Sequence, residues 1–573
     1  MSAAPTCPRD PADPPPLGLK RALTFRDLTL FYIVSGLSVR WVATAAAAGA
    51  STITVWLFAL FGFFIPLAAS VLELSSRYPA EGGLYVWTRE AYGDFSGFIA
   101  AWTYMMSNLP YFPAVLYFGA GSVLFAFGSR GAHFVANPAY YLVFALAWLA
   151  FITLMNVIGV NAGKWLNNVC TLGSIVPISI LIVLAVISFA RFGSATSFAA
   201  HQLIPRPSLA NAIFWSTIFF AFGGCEAGSF MGEEIANPRR TIPRALLAGG
   251  TILAVAYIAG TVALLVALPS DAVHGVDGFM RGMMTLCTRL HLIWLAAPIA
   301  LLLGLNAVGG AAAYLSSTSR LPFVAGIDCY FPPVFGHIHP RFKTPWVAIG
   351  TYGLAGMIVA LLSQAGTTVR GAYDVLVAMS IIAYFIPYLF LFASMIRLQS
   401  RDKILPRRAT YATVTSERVL QESTVSKEST VSKGVGFSPP DRTDQNIGPL
   451  APEGNSIGMD GSGSKGVGFS PPDRTDQNEG ALAPEVNIIR VPGGRPVATA
   501  LAIIGFLSTG LTIVLSVIPG EDEPHKLLAV AKVLISTAVL IAIGVAIYIR
   551  AVRKRGRITS SGFISESKGR NNL

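Results

Sequence analysis

Charge is scarce in this chain. Asp, Glu, Lys and Arg make up 13% of its 573 residues, about half of the roughly 25% typical of soluble domains. That excludes a soluble enzyme or soluble binding module as the whole protein. The five cysteines (Cys7, Cys170, Cys225, Cys287, Cys329) are scattered, odd in number and without CxxC spacing, which predicts neither a disulfide framework nor a zinc site. There is no Gly-x-x-x-x-Gly-Lys-[Ser/Thr] loop, so a built-in ATPase is not expected. No nucleophile–base set is visible either. His337 and His339 share a Pro-rich loop without further ligands, and the chain reads as a non-enzyme with no cofactor and no metal.

Apolar surface is what the chain has in excess. It is 53% hydrophobic with a mean hydropathy of +0.58, and runs of about 20 apolar residues recur at the length a bilayer demands. The expected fold is an all-α polytopic membrane protein of about 12 transmembrane helices. The spans are predicted near 29–51, 54–75, 95–127, 139–159, 169–190, 209–232, 245–268, 291–315, 345–364, 373–397, 497–518 and 527–550. Pro110 and Pro113 predict a kink or tilt in the third. The net charge of +12 sits at helix ends and in tails, so it points to membrane lipid and not to nucleic acid.

Basic residues also predict orientation. Lys20, Arg21, Arg26, Arg77, Arg89, Lys164, Arg239, Arg240 and Arg320 fall in one set of connections, with the tail Arg553-Lys554-Arg555. The opposite set is poorer in them and holds Glu521-Asp522-Glu523. By the positive-inside rule both termini are cytoplasmic, with the protein expected in the cell (plasma) membrane. No apolar stretch ends in a cleavage site near the start, so no signal peptide is expected. The expected organisation is a cytoplasmic tail over 1–28, a ten-helix core over 29–398, a linker over 399–493, helices eleven and twelve within 494–550, and a basic tail over 551–573. The linker repeats Glu422–Lys427 at 428–433, and KGVGFSPPDRTDQN at 433–446 and 465–478. Its polar composition predicts a disordered cytoplasmic segment, a tolerated insertion or a partner-binding one.

Function is most legible at 219–226, Phe-Phe-Ala-Phe-Gly-Gly-Cys-Glu. A glycine pair halfway along an apolar span permits unwinding, and unwound backbone survives in a bilayer only where it lines a cavity or binds something. A broken helix with an ionisable residue, here Glu226, beside the break is how transporters build a midplane site. This reading gives a secondary transporter.

Three motifs then resemble a known family. Arg77 to Gly93 is similar to the Pro-x-x-Gly-Gly-x-Tyr-x-Trp loop after span two of the amino acid–polyamine–organocation (APC) transporters. Phe219 to Arg244 resembles that superfamily's span-six signature, and 318–345 its loop between spans eight and nine. The resemblance implies a five-plus-five inverted repeat with spans one and six broken, plus two extra helices. It implies a small-molecule substrate, an amino acid or amine, held by helix ends and free main-chain groups. It assigns carbonyls and an aromatic wall to Phe220, Ala221 and Phe222, the break to Gly223 and Gly224, and the family's span-six glutamate to Glu226. That carboxylate either carries a proton or pairs with a cation.

Span one departs from the pattern. In place of a Gly-x-Gly break it reads Ser35-Gly36-Leu37-Ser38-Val39-Arg40-Trp41. An arginine near mid-span costs at least about 2.5–3.5 kcal/mol unless paired or hydrated, so Arg40 binds a substrate carboxylate, neutralises Glu226 as a fixed internal cation, or snorkels from a displaced span. Gly36, Arg40 and Trp41 are thus candidate substrate contacts, and polar Asn108 and Asn306 could reach a substrate or bond a neighbouring helix. Glu233, Glu234, Arg239 and Arg240 either form a closing salt-bridge network or are interfacial charge. Glu73 is expected to pair with nearby arginines. Span five carries no lysine, so a lysine proton switch is not expected. Exchange and proton symport both stay open, and the alternative function is a transport-inactive amino acid sensor on the same fold.

Overall fold

The computed structural model describes residues 19–205, 209–270, 273, 278–363, 369–401, 489–517, 534–535 and 537–554. The expected linker lies almost wholly outside these residues, as does most of each expected tail. The described residues form helices and no named strand. Nine of the helices are long and apolar enough to cross a membrane. The other expected spans fall on a broken helix at 209–234, on a helix at 369–401, and on a helical stretch at 537–554.

The first span comes in two pieces, α1 (Phe25–Gly36) and α2 (Arg40–Ala47). Thr24 and Asp27 close a capping box on α1, with the Thr24 amide donating to Asp27 at 3.1 Å and the Asp27 amide to Thr24 Oγ1 at 3.4 Å. This satisfies donors that a helix start leaves unpaired. The second span joins α3 (Thr52–Ala59), a π-helical stretch Leu60–Phe64, and α4 (Ile65–Arg77). The π turn widens the helix locally, and consecutive residues Phe63 and Phe64 are both buried there. Phe63 meets Phe219, Phe385, Tyr388 and Phe392, while Phe64 meets Phe222.

After α5 (Leu84–Tyr92), α6 (Asp94–Asn108) passes to α7 (Tyr111–Leu124) across Leu109–Pro110. The expected proline interruption is therefore present in the third span. Then follow α8 (Ser129–Ala132), α9 (Pro138–Ile158), α10 (Val160–Cys170), α11 (Leu172–Phe192) and α12 (Ala200–Leu203). The second broken helix is α13 (Leu209–Ala221) with a 3₁₀ segment Ala227–Glu234. Beyond it lie α14 (Pro238–Ala267), α15 (Gly278–Arg289), α16 (Ala296–Thr318) and α17 (Arg320–Ile327). The last named elements are α18 (Trp346–Ser363), α19 (Val369–Arg401) and α20 (Gly494–Val517). Pro238 opens α14 at a position where a missing N–H costs nothing.

Packing places the broken helices at the centre. Helix α1 lies against α14 and α16, α2 against α14, and α19 against α6 and α20. One sequence expectation is corrected. Cys329, in the partly accessible turn after α17, is disulfide-bonded, whereas Cys170, Cys225 and Cys287 are free and buried.

Candidate functional site

Both breaks are real, but they are built differently. In the first span α1 stops at Gly36, and Leu37 takes an extended conformation (φ −85°, ψ 91°) open to any residue. A second glycine is not needed, which is how this span unwinds without the Gly-x-Gly pattern. Neighbours stitch the gap. The Tyr257 hydroxyl donates to the Gly36 carbonyl at 2.6 Å and accepts from the Ser38 amide at 3.1 Å. The Asn306 amide donates to the Leu37 carbonyl at 3.0 Å and to Ser174 Oγ at 2.6 Å. Asn306 is therefore bound to the break itself, and Asn108 to the Tyr104 carbonyl of its own helix at 2.9 Å.

In the sixth span the gap does need glycine. Gly224 sits at φ +107°, a conformation side chains avoid. A Cβ on Gly223 would come within 2.5 Å of the Tyr384 ring, and one on Gly224 within 2.5 Å of the Tyr314 hydroxyl. The same point lies 3.9 Å from the Gly36 Cα, so the two gaps touch. Glu226 closes this break from within. Its carboxylate accepts from the Tyr104 hydroxyl at 2.5 Å, the Tyr384 hydroxyl at 3.0 Å and the Gly224 amide at 3.2 Å. The Tyr388 hydroxyl also accepts from the Gly224 amide, at 3.3 Å. Phenols and a main-chain amide thus partner this carboxyl group, and Arg40 does not.

The candidate wall residues separate into two groups. Phe220 stands edge-on to Trp41 (centroids 5.6 Å) and Tyr384 (5.0 Å), linking the two gaps. Phe222 is turned into a fully buried aromatic box with Trp56, Phe64 and Tyr257, and Ala221 is buried beside it in sequence. Arg40 opens α2 with 4% of its surface exposed. Its guanidinium carbon lies 4.3 Å from the Trp41 ring centroid and 5.4 Å from that of Tyr111.

One end of the bundle is closed by charge. Arg320 reaches both oxygens of Glu234 with Nη2, at 2.8 and 2.9 Å, and its Nε stands 3.9 Å from Glu81. All three residues are buried. Glu81 accepts the Glu233 amide at 2.9 Å, while Glu234 O accepts the amides of Ala22 and Leu23 at 2.9 and 3.0 Å. The cation facing Glu234 is thus Arg320. Arg239 and Arg240 lie in the first turn of α14, half-buried and exposed respectively. Burial and the neighbouring Glu234 carboxylate push Glu81 well above the ordinary carboxylate range, against the pull of Arg320. Arg89–Asp328 at 2.6 Å and Lys164–Asp27 at 3.4 Å complete this end. As expected, Glu73 pairs with Arg77, and Gln399 Nε2 joins it at 2.5 Å.

Sequence reasoning missed Tyr104, Tyr257, Tyr314, Tyr384 and Tyr388, which surround the gaps. A tyrosine inside an apolar span was the available signal, since a buried hydroxyl seeks a partner. Glu81 and Arg320 sat inside the quoted motifs without a role.

Known proteins match this chain over much of its length. The sequence pattern of the amino acid permease family matches residues 23–420. An uncharacterized transporter of Legionella pneumophila is 26% identical over 390 residues, covering 68% of this chain and 83% of that protein. The serine/threonine exchanger SteT of Bacillus subtilis is 27% identical over 393 residues, 68% of this chain and 84% of SteT. The probable agmatine/putrescine antiporter AguD of Lactococcus lactis is 23% identical over 383 residues, 65% of this chain and 80% of AguD. Among solved structures, MhsT in complex with L-phenylalanine is similar with a TM-score of 0.49 and 16% identity, over 66% of this chain and 90% of that one.

Proposed function

The chain belongs to the amino acid permease family, and from that premise we propose that it carries amino acids or related amines across the cell membrane by alternating access. The observation carrying this reading is that two broken helices bring their gaps into contact beside a buried carboxylate. Helix ends exposed at such gaps offer amides to a carboxylate and carbonyls to an ammonium. In this reading a five-plus-five repeat rocks around the site. Phe220, Trp41 and Tyr384 line it. The Glu81–Arg320–Glu234 cluster closes the end that the basic loops place in the cytoplasm, with both chain termini on that side. The bonds that Glu226 accepts from Tyr104, Tyr384 and the sixth-span break link its protonation to the shape of that break, which makes it the candidate coupling group for exchange or proton symport. The 402–488 segment is proposed as a cytoplasmic linker.

Uptake into proteoliposomes tests the reading. Flux that needs unlabelled amino acid inside, without an imposed gradient, marks an exchanger. Flux into empty vesicles driven by a pH gradient marks a proton symporter. Binding without flux under either condition would sink the transport reading in favour of a sensor.

A further inference from the structure

Among the described residues, Arg40 is a buried charge that no ion pair answers. The residue is buried, with 4% of its surface exposed. Its Nε and Nη1 have no hydrogen-bond partner, and it takes part in none of the ion pairs among the described residues. The buried carboxylate of the site is already engaged, one oxygen of Glu226 by two phenols and the other by a main-chain amide. What surrounds Arg40 is aromatic, the faces of Trp41 and Tyr111. Ring faces attract a guanidinium but are only weak acceptors for its N–H bonds.

Its position adds direction to this unspent charge. Arg40 is the first residue of the eight-residue α2, so the guanidinium and the amide end of that helix share one location, where an anion is favoured. The location is the exit of the first gap. Trp41 touches Phe220 across to the sixth-span gap, and Tyr111 touches Tyr314, whose hydroxyl packs at Gly224. An anion at Arg40 would therefore lie between both breaks, and a planar carboxylate suits the fork of guanidinium donors.

We infer that Arg40 is a specificity-determining residue that binds the substrate's carboxylate, so that the carried class is amino acids and not amines lacking a carboxylate. This deepens the transport reading above and rests on it. A diamine would bring a second cation to a site whose fixed cation is unpaired and whose carboxylate is taken. An amino acid brings the one group that Arg40 lacks.

The test uses the full chain purified in detergent and compounds matched except for the carboxylate: L-serine against L-serinamide, and L-arginine against agmatine. Binding is read from the ligand-induced rise in melting temperature, and transport from counterflow in proteoliposomes. Wild type is expected to prefer the acid of the preferred pair by at least about 100-fold. Arg40→Gln should cut that preference below about tenfold, with Arg40→Lys in between because an ammonium keeps the charge without the fork. Equal binding of acid and amide by wild type overturns the inference, even if Arg40→Gln fails to fold. So does an undiminished preference in a folded Arg40→Gln protein. In both cases amino acid flux would still stand. Loss of all binding and flux in wild type would instead bring down the transport reading and the inference together.

Discussion

The middle of the bundle and its closed end both bury charge, and they hold it by different means. At the end, cations meet anions: Arg320 with Glu234 and Glu81, Arg89 with Asp328, Lys164 with Asp27. In the middle, Glu226 is held by hydroxyls and an amide, and Arg40 by ring faces. An ion pair at the edge of a bundle can be exchanged for water when that end opens, because each partner regains hydration as it loses its mate. A charge in the middle has no such recourse. Hydroxyls and an amide occupy the Glu226 carboxylate, whereas ring faces leave two guanidinium nitrogens of Arg40 without a hydrogen-bond partner. The end joins opposite charges, and the middle keeps its carboxyl group and its guanidinium apart.

The strongest break of this contrast is Arg320→Ala, which strands two buried carboxylates. It should cost about 3–5 kcal/mol, seen as a large drop in the detergent melting temperature. A drop no greater than for an exposed arginine such as Arg240→Ala would mean the end does not depend on charge pairing. Glu226→Gln comes next. The amide keeps acceptance from the two phenols but sets a donor against the Gly224 amide, for a loss of about 2–3 kcal/mol. Gradient-driven or exchange flux should fall at least about 100-fold, the outcome to check by counterflow; full flux would remove Glu226 from coupling.

Tyr257→Phe sharpens the contrast on the neutral side. It removes a bond to each side of the first gap and should cost about 2 kcal/mol in a denaturant-midpoint measurement, with the stacking on Trp56 retained. If Tyr257→Phe is silent, the gap is held by Asn306 alone. The smallest effect concerns pH. Glu81 is held above the ordinary carboxylate range when the end is closed, so the closed form binds its proton more tightly than an open form. Closure is at full strength below the ordinary value and weakens as pH rises through the raised one. The loss is about 1.4 kcal/mol for each tenfold by which the closed form holds the proton more tightly. Thiol labelling of Ser229→Cys, buried beneath this loop, should quicken with rising pH by more than the growth of the thiolate fraction alone. Glu81→Gln should flatten that profile; an unchanged slope would place the titrating group elsewhere.

Much of this was legible in the sequence, for reasons that differ by residue. Apolar runs of bilayer length announce spans whatever their tertiary partners. Gly223-Gly224 announced its break because a backbone at φ +107° all but requires glycine. The first break was harder to read, since Leu37 unwinds in a conformation that leaves no mark on residue choice. What holds that gap comes from Tyr257 and Asn306, more than 200 positions away, and no local pattern encodes such a partner. A shorter separation, 86 positions, likewise hid Arg320 from Glu234, while the nearer Arg239 and Arg240 drew attention by sequence proximity. Arg40 stood out because an arginine in a span is conspicuous, but the lack of any partner for two of its nitrogens is a tertiary fact.

The widened turn at Leu60–Phe64 has a consequence for how the chain divides. The Gly62 carbonyl in this turn accepts from the hydroxyl of Ser508 of α20 at 2.6 Å. A second such tie runs from the Trp102 ring to the Leu540 carbonyl at 2.8 Å. Two helices that follow the long polar segment thus act as splints on spans two and three. Cutting the gene after codon 401 would leave the Gly62 carbonyl and the Trp102 indole N–H without these partners.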